Sequence, residues 1–205
     1  MTYFEEYYSK CKSGVILVGT ELMQCLNNLK ADLDGGLWLY DTRHAHFRIA
    51  FMQRLCRQSK SPYYGKPIEL MLWQAALLEV IYSFKNKETG LRRFNKVILL
   101  VARKNGKTTI MEADAFTELM CGAGGEEIVC SSNDDRQASI AFNGINKMRE
   151  LFDPKGRRTH KNQSFIINKN NGSVIYKLSD RTRNKEGGNI DYAILDESHE
   201  MRDER

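Results

Sequence analysis

The sequence predicts an α/β fold, and three observations carry that prediction. From Lys96 onward, short apolar runs alternate with stretches of helical periodicity. The runs "KVILLVA", "EIVCSS" and "IDYAILDE" are rich in β-branched residues at their cores, as strands buried in a parallel sheet are. The two chemically unusual segments, "ARKNGKTT" and "LDESHE", both sit at the ends of such runs. In open α/β sheets that is where ligands bind.

Taken in order, the first ninety residues read as helical. "GTELMQCLNNLKADL" begins a helix near Thr20, with an apolar stripe at Leu22, Cys25, Leu26 and Leu29. "TRHAHFRIAFMQRLCRQ" places Phe47, Phe51 and Leu55 on one face, and "SPYYGKP" then breaks the chain. "IELMLWQAALLEVIYSF" is a third, strongly apolar helix, and "KNKETGLRRFN" a polar connection. After the strand "KVILLVA" comes the helix "TTIMEADAFTELM", then the flexible "GAGGEE" and the strand "EIVCSS". The helix "NDDRQASIAFNGINKMRELF" has Asp134 or Asp135 near its start and Pro154 beyond its end. "SFIINKNNGSVIYKLS" reads as a hairpin turning at "KNNGS", and the last strand, "IDYAIL", runs into two carboxylates. The expected organisation is a helical region over 1–90 and a mostly parallel α/β core over 91–205.

Composition narrows the class. The 205 residues are 41% hydrophobic, 10% aromatic and 28% charged, as in an ordinary globular protein. No apolar run is long enough for a membrane span, and the acidic, aromatic start is not that of a signal peptide. The net charge of +5 permits a polyanionic partner without demanding one. Basic residues gather at Arg92, Arg93 and Lys96, at Lys155, Arg157, Arg158 and Lys161, and at Lys177, Arg181, Arg183 and Lys185. Five cysteines without CxxC spacing argue against both a disulfide framework and a zinc site.

A phosphate loop needs backbone N–H groups around the anion, a lysine for the outer phosphates and a hydroxyl for magnesium, with the signature G-x-x-x-x-G-K-[ST]. Gly106, Lys107 and Thr108 fill its last three positions, and Val101 stands where the first glycine belongs. Arg103 and Lys104 add positive charge beside the phosphates. The helix that follows aims its first amides at the anion, so Asn105, Gly106 and Thr109 complete the binding stretch. Without the first glycine the loop must open by another route. The alternative is a plain turn capping a helix.

"YAILDESHE" is the independent test. In a phosphate-loop ATPase an aspartate at such a strand end, here Asp196, holds magnesium together with the hydroxyl of Thr108. The adjacent Glu197 polarises the water that attacks the γ-phosphate. A polar helix start is the alternative reading of the pair. With a phosphate loop roughly ninety residues upstream, the two motifs support each other.

On these residues the chain resembles the N-terminal ATPase region of the large terminase subunit of tailed bacteriophages, a P-loop NTPase of the RecA/ASCE-like class. "RKNGKT" matches the family's arginine-rich, glycine-poor loop and "AILDESH" its Asp-Glu strand. "PIELMLWQAALLEVIY" resembles its adenine-recognition segment, "CSSNDDRQASIAFNGINKM" the stretch after the second strand, and "LSDRTRNKEGGNIDYAILDE" the approach to the carboxylates. The resemblance covers about residues 30 to 200. It implies ATP and Mg2+ as cofactors, Lys107, Arg103 and Glu197 as catalytic groups, and Gln74 on the adenine edge. A buried structural amide is the rival reading of Gln74, and a surface arginine that of Arg103. His199 stays outside the catalytic set. The implied partners are double-stranded DNA, portal protein and the small terminase subunit, with the large subunit in a homo-oligomeric ring in the host cytoplasm. In the family a coupling strand and a nuclease domain follow the Asp-Glu strand, so the sequence is expected to be a truncated or expressed piece without nuclease activity. A helicase-like DNA-stimulated ATPase is the rival class, and a degenerate, non-hydrolysing binding domain the other.

Overall fold

The computed structural model describes residues 1–132, 135–178 and 189–195. The chain divides into two compact units, one of Met1–Ala50 and Glu69–Leu100, the other of Phe51–Ile68 and Val101–Arg205.

The first unit is mainly helical, with α1 (Tyr3–Lys12), α2 (Thr20–Asp34), β1 (Leu39–Tyr40), most of α3 (Arg43–Leu55), α4 (Leu72–Ser83) and β2 (Phe84–Lys85). α1 opens on a capping box: Glu5 N–H donates to Thr2 Oγ1, and Thr2 N–H donates to the Glu5 carboxylate. Phe4, Tyr7, Leu26, Val80 and Phe84 form its core. Within that unit Glu79 of α4 is fully buried. Its carboxylate accepts the backbone N–H groups of Tyr3 at 3.0 Å and Phe4 at 3.1 Å, and the Tyr40 hydroxyl at 2.7 Å. His46 Nε2 lies 2.6 Å away. The carboxylate thus satisfies first-turn amides of α1 that the helix itself leaves open.

Two apolar stripes differ from expectation. In α2 the side chains packed inward are Met23, Leu26, Leu29 and Leu33, while Leu22 and Cys25 are exposed. In α3 the buried face is Ala45, Arg48, Ile49 and Met52; Phe47 and Leu55 are exposed. An arginine interrupts that face in the sequence. In the fold its guanidinium lies 4.2 Å from the Tyr82 ring centroid, a cation–π contact that helps a buried charge to sit there.

The second unit contains α5 (Lys107–Cys121), β3 (Glu127–Ser131), α6 (Asp135–Phe152), β4 (Thr159–Lys161), β5 (Phe165–Asn168), β6 (Val174–Leu178) and β7 (Ile190–Leu195). Its sheet has the order β4-β5-β6-β3-β7. β3 pairs in parallel with β6 and with β7, while β4–β5 and β5–β6 are antiparallel. The sheet is therefore mixed, and the parallel half is β6-β3-β7. Ile128, Val129 and Cys130 of the central β3 are all buried, as a strand covered on both faces requires. α5 supplies Phe116 and Leu119 to the core, and α6 supplies Ile145 and Met148. The β5–β6 hairpin also closes the end of α5. The side-chain amides of Asn168 and Asn171 donate to Leu119 O at 3.0 and 3.3 Å, meeting a carbonyl that a helix end leaves open.

One expected strand is absent. Residues 96–100 form no strand, and Ile98 and Leu100 are 96% and 98% exposed. An apolar β-branched run has the side chains of a strand, but a strand also needs a partner for its N–H and C=O groups. No strand among the described residues pairs with it. The five cysteines are free, and burial pushes the thiols of Cys56 and Cys130 up to about 12, so both stay neutral packing groups.

After α6 the chain turns around Asp153, which is buried. Its carboxylate accepts the N–H of Arg157 and Arg158 at 2.9 Å each, the Thr159 N–H at 2.8 Å and the Thr159 hydroxyl at 2.9 Å. Burial alone pushes its pKa up. The bonds from Thr159, Arg157 and Arg158 outweigh that, and the net shift is downward. A depressed carboxylate stabilises the fold above its unfolded pKa and loses that contribution as pH falls through the folded value. Asp153→Ala is expected to cost about 2–3 kcal/mol at neutral pH. The gap between parent and variant, read by urea unfolding, should shrink once pH drops below about 4. A gap independent of pH would assign the cost to packing instead.

Candidate functional site

The segment Val101–Thr109 encloses a hollow of about 250 Å³, lined by Val101, Ala102, Arg103, Lys104, Gly106, Lys107, Thr108 and Thr109. Two of its residues have left-handed backbone. Gly106 has φ 78° and ψ 12°, and caps the start of α5; Lys104 has φ 68° and is the one non-glycine with positive φ among the described residues. The two positive φ angles flank Asn105 and bend the chain tightly just before α5. The Asn105 side-chain amide donates to Ala102 O at 3.1 Å and Arg103 O at 3.4 Å, so it braces the loop from within. This is the other route to an open loop: a strained lysine and an asparagine brace do what an opening glycine would otherwise do.

The chemistry of the hollow is cationic. Arg103, Lys104 and Lys107 border it, and no carboxylate occurs in the sequence between Lys96 and Met111. The first turn of a helix directs its N–H groups out of the helix end, where they and the dipole favour an anion. Thr108 and Thr109 bring hydroxyls to the same rim. Among the described residues no cluster of three His, Cys, Asp or Glu side chains forms a metal cage. A phosphate-bound Mg2+ needs none, since it keeps water and phosphate oxygens as most of its ligands.

A left-handed lysine costs about 1–2 kcal/mol of backbone strain, and glycine gives back about 0.4–1 kcal/mol through the unfolded chain. Lys104→Gly is thus expected to raise stability by roughly 0.5–1 kcal/mol, measured by urea unfolding. A destabilised variant would show that the positive φ carries no strain.

α5 is held by carboxylates that the helical pattern does not reveal. Glu112 is fully buried; it accepts the Ser59 hydroxyl at 3.1 Å, and Lys60 Nζ lies 3.5 Å away. Gly144 of α6 faces it so closely that a Cβ there would lie 2.0 Å from Glu112 Oε1. Asp114, also buried, accepts the Tyr192 hydroxyl at 2.6 Å. Tyr192 is on β7, so this bond ties the helix after the loop to the strand that leads into Asp196.

Gln74 belongs to the first unit, is buried, and its side-chain oxygen accepts Met71 N–H at 2.9 Å at the start of α4. Asp196, Glu197 and His199 lie outside the described residues; β7 ends at Leu195.

Residues 72–205, well over half of the chain, match the ATPase domain of the terminase large subunit. No curated protein matches the chain. Among solved structures it is similar to the large terminase of bacteriophage HK97, with a TM-score of 0.62 at 28% identity over 76% of this chain. The match takes in 31% of the HK97 protein, so the chain spans about a third of that length. No described helix is long and apolar enough to cross a membrane. With an α/β fold, a cationic loop opening α5 and this match, the chain belongs to the family of terminase large subunit ATPase domains.

Proposed function

We propose that this chain is the nucleotide-hydrolysing part of a phage DNA-packaging motor, in which ATP hydrolysis drives double-stranded DNA into a procapsid. The observation that carries this reading is the cationic hollow at the start of α5, bordered by Arg103, Lys104 and Lys107, in a chain of the terminase ATPase family. Lys107 and the first-turn amides of α5 bind the outer phosphates, and Arg103 offsets charge that develops on the γ-phosphate in the transition state. Thr108 and Asp196 hold Mg2+, which supplies charge neutralisation on the phosphates when bound. Glu197 orients and deprotonates the attacking water. Gln74 reads the adenine edge, its oxygen on Met71 N–H fixing the orientation of the amide.

The DNA surface is the turn after α6. Lys155, Arg157 and Arg158 lie there and Lys161 ends the β4 strand that follows, without an exposed acid between them, and Asp153 is consumed in holding the turn. In the full-length protein this ATPase acts in a ring in the host cytoplasm, with portal protein and the small subunit, and a downstream nuclease cuts the DNA. The experiment is Mg-ATP binding and turnover of the full-length protein, with and without duplex DNA, beside Glu197→Ala. Binding should persist while turnover falls by about 10²–10³-fold. Parent-like turnover in the variant would remove Glu197 from the mechanism.

A further inference from the structure

The segment between α3 and α4 carries charge that the nucleotide site does not use. From Arg54 to Ile68 the sequence "RLCRQSKSPYYGKPI" has four cations and no acid. Lys60 and Lys66 are exposed, and Tyr63 and Tyr64 stand 58% and 55% exposed between them.

This loop has a fixed shape. Arg57 bridges to Pro67, Gln58 N–H donates to Lys66 O at 2.8 Å, and Gly65 N–H donates to Gln58 O at 3.0 Å. Lys66 Nζ lies 5.6 Å from the Tyr63 ring centroid. At its base the buried Ser59 is bonded to Glu112 of α5. Just before the loop, Phe51 packs against Phe116 and Phe152, with centroids 6.4 and 6.0 Å apart. Arg158, from the turn after α6, lies 5.6 Å from the same Phe152 ring. Two cationic segments, distant in sequence, therefore flank one aromatic cluster.

We propose that the loop Arg54–Pro67 is a second contact for the backbone of double-stranded DNA, beside the turn after α6, and that Glu112 fixes it to the phosphate-loop helix. This rests on the proposed function above. The chemistry favours a duplex over a protein partner. Lysine, arginine and tyrosine all donate to phosphate oxygens, and the exposed Lys60 and Lys66 of the loop are of a residue type that protein interfaces are depleted in. A loop already held in shape also loses little freedom on binding.

The test uses the full-length protein and a labelled random-sequence duplex, with affinity measured across a salt series. Lys60→Ala/Lys66→Ala is compared with parent and with Arg157→Ala/Arg158→Ala, each well below its own unfolding temperature, because Lys60→Ala also removes the ion pair to Glu112. The loop variant should bind roughly tenfold more weakly at moderate salt, and its slope of log affinity against log salt should flatten by about 2, near one unit per lost phosphate contact. Parent-like affinity and slope in the loop variant, with loss in Arg157→Ala/Arg158→Ala, would overturn the loop contact and leave the functional reading standing. A parent that binds no duplex overturns both. Intact DNA binding with lost docking to procapsids would assign the loop to a protein partner and sink the proposal.

Discussion

Lys107→Ala in the full-length protein should lower ATP turnover by about 10²–10³-fold and weaken nucleotide binding as well. Lys107 is the first residue of α5, directly after the left-handed Gly106, so its position is set by the helix start and not by a mobile loop. On the proposed mechanism its charge meets the outer phosphates both before and during transfer, so both binding and turnover should respond. The loop keeps Arg103 and Lys104 in the variant, so residual affinity for a polyphosphate should remain. Equilibrium binding of a fluorescent ATP analogue and steady-state turnover, measured together, separate the two effects. A variant that binds and hydrolyses like the parent would make the loop a structural turn.

Gly144→Ala is expected to be strongly destabilising, although it adds a single methyl group. On helix propensity alone, alanine for glycine inside α6 should gain roughly 1 kcal/mol. The fold opposes this. A Cβ at 144 would lie 2.0 Å from Glu112 Oε1 and 2.2 Å from its Cδ, so the carboxylate must move. Moving it breaks the bond from Ser59 and the ion pair with Lys60, and leaves a buried acid badly placed. Overpacking and the lost bonds together cost about 3–4 kcal/mol, which outweighs the propensity gain and leaves a net loss of about 2–3 kcal/mol. For a chain of this size that lowers Tm by roughly 5–10 °C. Combining Gly144→Ala with Glu112→Ala should cost less than the two losses summed, because the second change vacates the space the first needs. Simple additivity would show that the two residues do not meet.

How far the sequence reveals this fold depends on where each element's determinants lie. β3, α6 and the β5–β6 hairpin lie where periodicity places them, because local punctuation bounds each one: Gly124 and Gly125 before β3, Pro154 after α6, and Asn170, Asn171 and Gly172 in the turn. α1 carried a Thr-x-x-Glu start that was there to be read. The buried face of α3 was hidden because Arg48 is one of its members, and the Tyr82 ring it meets lies on another helix, α4. Glu112 and Asp114 were hidden for the same reason: periodicity sends acids to solvent, while their partners Ser59 and Tyr192 are 53 and 78 residues away. Val97–Leu100 shows the converse, since pairing is a property of two segments and composition describes one.

The site divides in the same way. The loop's expected type was read from Gly106, Lys107 and Thr108, whose proposed roles follow from residue chemistry. Its backbone was not. A lysine gives no hint of positive φ, and the opening of the loop depends on Lys104 adopting it.

α5 has a mechanical meaning beyond its bonds. One end is the phosphate loop; along its length it is fastened through Glu112 to the segment after α3 and through Asp114 to β7, and at its far end through the Leu119 carbonyl to the hairpin. A helix of 15 residues is a rod of roughly 22 Å, so a tilt of about 5° at one end displaces the other by about 2 Å. Fastened near its middle, the rod would pass a displacement at its loop end to the far end at about the same size and in the opposite sense. The helix is a lever, and its pivots are two buried acids.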